Sequence, residues 1–452
     1  MASSADSQQT VVARLYWDGV EARSRAQRAE GAEQRRLLLR SLDLHGRAAD
    51  ILRAELDGCP DEPLLSEQLA SLLYSLGSSQ TAAELTGDAV SSLDESEHHY
   101  QRSALAPADL ASRIGDVRAR RAAAHSAAGH AASALVDCDR AVEVYAGAGL
   151  PSAPPPRSLD FARLLSVVAV VQARYGDPDQ ALFCAGEALA RYREAIDAVA
   201  ADPDAHLPYA NGMAADVASR IEAARGNWDH ALGVDGFVLS IAEQGLGDLA
   251  GALARTGVHL RAAGRPADAA PLLARAAGLD PAAVPAQQRV LDEGVPVTLG
   301  EALLRAGSAL GEPVEALHRA LVSGGSATVT GRLGDPREAA PYARRLGLLA
   351  SDLVRADGDP DVAWRLALEG HLLYDTALRH LGGSPGDWLR AHGEGWARTG
   401  ITALRLAGSR HEPAVRDDLR RLLAALSDRL EELAASGHPV AGAAELARLT
   451  AR

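Results

Sequence analysis

Residues Asp160 to Tyr192 read DFARLLSVVAVVQARYGDPDQALFCAGEALARY. Leu164, Leu165, Val168 and Val171 recur at helical spacing, and the run stops at Tyr175-Gly176. A second run, Ala181, Leu182, Ala185, Ala188 and Leu189, keeps the same period. Between them, Gly176 suits the left-handed residue that ends a helix. Asp177 is placed to cap the next helix's free amides, and Pro178 suits that helix's first turn. Two helices joined by a tight turn follow from this stretch.

The same punctuation returns at Gly264-Arg265-Pro266, Gly311-Glu312-Pro313 and Gly358-Asp359-Pro360, each between two apolar-periodic segments. Gly334-Asp335-Pro336 repeats it in a linker or outer turn. Around the turns a Gly is followed by Ala five residues on and a second Ala seven later. Gly77-Ala82-Ala89, Gly129-Ala134-Ala141, Gly176-Ala181-Ala188 and Gly264-Ala269-Ala276 fit fully. Gly226-Ala231-Val238, Gly358-Ala363-Gly370 and Gly311-Ala316-Ser323 fit with one substitution. Seven residues make two helical turns, so both small side chains share a face and let the second helix press on its neighbours.

With a small residue seven before the Gly (Ala70, Ala122, Ala169 or Gly257), this arrangement resembles the tetratricopeptide (TPR) repeat family. Leu253–Pro281 matches best, ending in the Asp280-Pro281 pair that resembles that family's closing Pro. The resemblance implies an all-α fold, a right-handed α-α superhelix of about seven helix hairpins. It also implies a non-catalytic scaffold that binds a protein or peptide in a concave groove lined by first helices. The groove-facing candidates are Tyr74, Asp216, Arg220, Arg261, Asp352 and Arg355, of which the arginines suit a peptide carboxylate or an acidic side chain. The turn glycines 77, 129, 176, 226, 264, 311 and 358 stand 52, 47, 50, 38, 47 and 47 residues apart. The family period is about 34 residues, so an elongated variant is implied, with a generic α-solenoid as the alternative. Other functional readings are a regulatory sensor for a small signalling molecule or peptide, and an α-solenoid enzyme.

Composition agrees with close-packed helices. Hydrophobic residues make up 47% and aromatics only 4%, with Ala and Leu abundant and Ile and Val sparse. All 46 basic residues are arginine. Without lysine, a Walker A loop, a protein-kinase centre and a Schiff-base enzyme are excluded. The family's carboxylate-clamp subset also uses a lysine, so that specificity is not carried over. A net charge of −14 opposes direct nucleic-acid binding, and the doublets Arg35-Arg36, Arg120-Arg121, Arg344-Arg345 and Arg420-Arg421 read as solvated helix faces.

Cys59, Cys138 and Cys184 form no CxxC pair, and the second and third read as buried thiols on second helices. The polar start lacks an apolar signal core, and no run is long enough to span a membrane, so the expected setting is cytoplasmic. His98-His99 reads as an exposed loop pair. His371 and Asp375 share a helix face that His380 leaves, which is too few ligands for a metal. No HExxH, GxSxG, calcium loop or dinucleotide fingerprint occurs, so neither cofactor, metal nor catalytic residue is expected. Tyr145, Tyr192 and Tyr374 each follow a turn glycine by sixteen residues, a register that suits packing.

The expected organisation is an N-terminal helical segment at 1–62, repeats at 63–322 and 337–410, and a C-terminal helix at 411–452. The longer connections are placed at Asp94–Asp109, Ala146–Leu159, Ala201–Pro208, Asp280–Pro296, Ser323–Pro336 and Gly382–Gly386, with a hinge near Ser323. Leu419, Leu423, Leu426, Leu430 and Leu433 make a narrow apolar seam, read as an end cap or as a homodimer contact.

Overall fold

The computed structural model describes residues 2–26, 31–149, 157–199, 207–244, 248–323, 339–380, 385–410 and 413–451. Among these the fold is all-α, with twenty helices. No helix among the described residues is long and apolar enough to cross a membrane. The chain forms two compact units, Met1–His130 with Asp137–Asp160, and Ala131–Val136 with Phe161–Arg452.

The first unit holds α1 (Ala2–Ala26), α2 (Gly31–Gly58), α3 (Pro63–Ala82), α4 (Thr86–Gln101), α5 (Pro107–Ala127) and most of α6 (Ala131–Gly147). Val12 and Leu15 of α1, Leu44, Ala48 and Leu52 of α2, and Leu69, Leu73 and Leu76 of α3 meet in one core. Their three- and four-residue steps are the reason these helices bury one stripe each. A second core joins Ala70, Leu93, Tyr100, Ile114 and Val117 across α3, α4 and α5.

Two sequence expectations are corrected here. Gly77 is not a turn residue but lies inside α3, where a Cβ would stand 2.7 Å from Leu93 Cγ. It lets α4 approach, and the left-handed turn residue is Glu84 instead, at φ 62°. The connection expected at Asp94–Asp109 is largely helix, since α4 continues to Gln101. His99 is therefore buried rather than on an exposed loop, one turn after Glu95 and 3.9 Å from it.

The second unit continues with α7 (Arg157–Tyr175, from Phe161 on), α8 (Pro178–Val199), α9 (Leu207–Ala224), α10 (Trp228–Glu243), α11 (Leu249–Ala262) and α12 (Pro266–Leu279). Then come α13 (Ala283–Glu293), α14 (Leu299–Leu310), α15 (Glu315–Ser323), α16 (Ala339–Arg355), α17 (Pro360–Arg379), α18 (Pro385–Arg410), α19 (Pro413–Ala435) and α20 (Ala443–Thr450). Gly226, Gly264 and Gly311 end helices at φ 76°, 79° and 66°, as does Gly129 of the first unit at 76°. At the Gly358 turn the left-handed residue is Asp357, at φ 52°. Gly176 is instead a close approach, since a Cβ there would meet the Gln172 side chain and Leu135.

The small-residue stripe packs as read on most of the second helices, but not in the Gly77 triplet, where Ala82 is exposed at the end of α3. Ala181, Ala188, Ala231, Ala269, Ala276 and Ala363 are buried, and a Cβ on Gly257 would stand 2.7 Å from Leu273 Cδ2. The Gly311 triplet departs from it, because Ala316 is exposed and Val314 takes the buried place. The connection expected at Asp280–Pro296 contains α13, which Ala283 and Val284 anchor against Leu253 and Leu272.

Contacts between distant parts of the sequence distinguish the second unit from a strictly nearest-neighbour stack. Asp177 caps α8 through Asp179 N (2.8 Å) and also accepts from Leu299 N of α14 (2.7 Å) and Arg365 Nη2 of α17 (3.2 Å). The α19 leucines are buried where α18 and α20 pack. That seam is filled by this chain, and a second copy would have to use another face. Pro154-Pro155-Pro156, Gly334-Asp335-Pro336 and the hinge segment from residue 324 onward lie outside the described residues.

Candidate functional site

The six groove candidates lie on four helices. Tyr74 is on α3 of the first unit, half-buried, with the Arg120 guanidinium carbon 5.9 Å from its ring centroid. The other five belong to the second unit. Asp216 and Arg220 are on α9, Arg261 on α11, and Asp352 and Arg355 on α16. Asp352 and Arg355 pair with each other at 2.5 Å. Arg261 is exposed and reaches Gln288 Oε1 of α13. Arg220 is half-buried and takes no carboxylate partner among the described residues.

Asp216 leads to a cluster that the sequence did not reveal. It pairs with Arg255 of α11, and Arg255 Nε also donates to Asp235 of α10 at 2.7 Å. Asp235, fully buried, further accepts from Ser219 Oγ (2.6 Å) and His259 Nδ1 (2.7 Å). Burial alone would raise the Asp235 carboxyl, but the His259 hydrogen bond and the Arg255 charge outweigh it and hold it below the usual range. The network locks α9, α10 and α11 in one register. Arg255 and His259 sit one helical turn apart, the only sequence hint, and it identifies no partner.

A His, an Asp and a Ser in contact invite a hydrolase reading, and the geometry opposes it. Ser219 Oγ is 3.4 Å from the same His259 Nδ1 that faces Asp235. A nucleophile has to face the other ring nitrogen for its proton to be taken. Both Ser219 and Asp235 are also fully buried, so no substrate reaches them.

The first unit carries a parallel network. Arg121 of α5 makes two hydrogen bonds to Asp137 of α6 (2.6 and 2.8 Å) and reaches Glu97 and Asp94 of α4 (3.0 and 2.6 Å). Burial works against the Glu97 carboxyl's charge, but hydrogen bonds from Arg118 and the charges of Arg118 and Arg121 keep it below the usual range. The Arg120-Arg121 doublet is therefore not a solvated face. Arg121 enters a carboxylate pocket and Arg120 lies over Tyr74, because α4 and α6 flank α5. Arg35 and Arg36 are exposed as expected.

The remaining candidates have packing roles. Cys138 and Cys184 are fully buried. Tyr145 donates to Asp116 (2.8 Å), and Tyr374 stacks on Trp396 with centroids 5.8 Å apart. His371 Nδ1 accepts from Trp396 Nε1 at 3.0 Å, and burial lowers its proton affinity, so it is neutral. Asp375 pairs with Arg379. Among the described residues no group of three or more His, Cys, Asp or Glu is arranged to hold a metal ion.

Comparison with known proteins adds little. No family model matches the sequence, and no curated protein matches it. The crystal structure of BtubC (BKLC) from P. vanneervenii resembles the chain with a TM-score of 0.41 and 17% identity, over 56% of this chain and 92% of that one, a similarity of helical fold alone.

Proposed function

We propose that this chain is a TPR-like scaffold whose hairpins wind as a right-handed superhelix and whose first-helix faces bind a protein or peptide without catalysing a reaction. The observation that carries the reading is the fixed register of α9 and α11. Arg255 ties α11 to Asp216 of α9, while Arg220 and Arg261 on the same two helices have no acidic partner among the described residues. Cations held in register by a buried network suit an acidic side chain or a peptide carboxylate, because each ordered guanidinium gives up less freedom on binding. The absence of lysine argues in the same direction, against several large enzyme classes.

Affinity capture from native lysate under mild conditions tests this. A partner retained in stoichiometric amount, and released when Arg220 and Arg261 are both changed to Ala, is the expected result. Recovery of no stoichiometric partner in repeated captures would overturn the reading.

A further inference from the structure

Two contacts tie distant stretches of the second unit together, and in each a carboxylate meets the first turn of another helix. Asp177, in the turn before α8, accepts from Leu299 N at the start of α14 (2.7 Å) and from Arg365 Nη2 of α17 (3.2 Å). Asp418 of α19 accepts from Ser133 N (2.9 Å) and Ser133 Oγ (2.5 Å) in the first turn of α6, which belongs to the second unit. The later helices α14, α17 and α19 are thus fastened at the starts of α6 and α8. They are also joined to each other, since α14 packs on α17, α17 on α18 and α18 on α19.

Both contacts are polar, buried and incompletely satisfied. Arg365 is only 4% exposed, yet its Nε and Nη1 find no hydrogen-bond partner among the described residues. Gln172 is 1% exposed; its Oε1 accepts from Asp177 N (3.1 Å), while its Nε2 also lacks a partner among them. Asp418 is fully buried, and its ion pair with Arg421 is long, at 3.7 Å. A buried donor left unmade costs more than an average hydrogen bond returns, and a buried ion pair returns little after desolvation. Such seams separate more easily than the apolar stripe of Ala181, Ala188, Ala269 and Ala276. We propose that the two contacts form one clasp, and that the second unit opens by releasing α14, α17 and α19 from the starts of α6 and α8 in a single step. A shift at Arg365 is carried to Asp418 through α17 and α18, which pack in series between them. The clasp does not depend on what the first-helix faces bind.

Amide hydrogen exchange on the full-length chain, resolved to single residues, reads the clasp directly. The amides of Ser133 and Leu299 lie in first turns, where a helix offers its own N–H groups no acceptor. Each instead has a carboxylate from elsewhere in the chain. After correction for intrinsic rates, both are expected to exchange about tenfold faster than the interior amides of α6 and α14, and within about twofold of each other. Asp418→Asn should speed both amides by about tenfold, although the Leu299 bond is to Asp177. Asp177→Asn should do the same to Ser133, because coupling between two sites is reciprocal. Arg47→Gln, an exposed change on α2 of the first unit, should leave both rates unaltered. Both Asn variants keep the side-chain shape, and if either fails to fold, the paired rates in the unaltered chain still decide.

Protection of Ser133 and Leu299 equal to that of their helix interiors would overturn the inference, as would exchange of either at its intrinsic rate. So would a variant that speeds only the amide its own carboxylate contacts, since two independent contacts are not one clasp.

Discussion

The buried carboxylate of Asp418 on α19 accepts hydrogen bonds from the backbone amide of Ser133 at 2.9 Å and from the Ser133 hydroxyl, across 285 positions of sequence. No side chain of its own N-cap residue, His130, caps α6. Asp418 supplies the missing oxygen from the far end of the chain, where a negative charge also meets the positive end of the helix dipole.

That link has a measurable cost when cut. Asp418→Ala should destabilise the second unit by about 1–3 kcal/mol, the usual penalty for stranding buried donors. Ser133→Ala keeps the amide bond and should cost less. Urea midpoints of the two variants and the unaltered chain decide the order.

The Asp235 network makes a larger prediction. Asp235→Ala leaves Arg255 and His259 buried with only Asp216 to answer them, and should cost about 3–5 kcal/mol. The Trp228 ring lies 6.3 Å from His259, so its fluorescence reports the local change alongside the global melt. Because the folded Asp235 carboxyl is held below its ordinary range, its contribution is present at neutral pH and is lost as pH falls through that depressed range.

His45 acts in a different pH window. Burial first, and then the Arg23 charge, lower its pKa to about 4 from an ordinary 6.5. The folded state therefore binds fewer protons than the unfolded chain between those values, and stability falls as pH drops from 6.5 towards 4. The loss amounts to about 3 kcal/mol at the low end, at roughly 1.4 kcal/mol per pH unit. Denaturation of the first unit at pH 7.5 and 5 should differ, and His45→Gln should flatten the difference above pH 5.

Two glycines separate packing from propensity. A Cβ on Gly115 would stand 2.2 Å from Tyr145 Cε2, so Gly115→Ala should cost about 1–3 kcal/mol by overpacking. Gly46 lies within α2 with no atom within 4 Å of a Cβ, so Gly46→Ala should stabilise by about 0.5–1 kcal/mol. Thermal melts showing the same sign for both would contradict this account of the helix contacts.

Much of the helix layout is local and was readable. Pro178, Pro266 and Pro360 open helices as expected, and Asp177 and Asp359 cap the helices that follow. Gly129, Gly226, Gly264 and Gly311 turn the chain because only a residue without a Cβ takes those dihedrals cheaply. Gly77 misled for a related reason. A missing side chain serves a close helix contact as well as a turn, and the chain alone does not say which. The same ambiguity hid α4's last turns and α13, whose polar residues read as connections until their buried faces were placed.

The candidate site was less legible. Tyr74 and Asp216 entered as first-helix positions that the family resemblance implies, and no local pattern pointed to Asp235, Arg255 or His259 as one cluster. Charge compensation depends on which helices lie side by side, and Arg255 meets Asp216 and Asp235 at separations of 39 and 20 residues with no shared motif. What the sequence determined by itself is the local part: all-α content, the capped starts, several left-handed turns and the stripe of small residues. Tertiary structure alone decided that Asp177 reaches α14 and α17, that Asp418 caps α6, and which carboxylates Arg121 and Arg255 meet. Backbone hydrogen bonds in a helix close over four residues, whereas a buried charge takes whatever partner folding brings within about 3 Å.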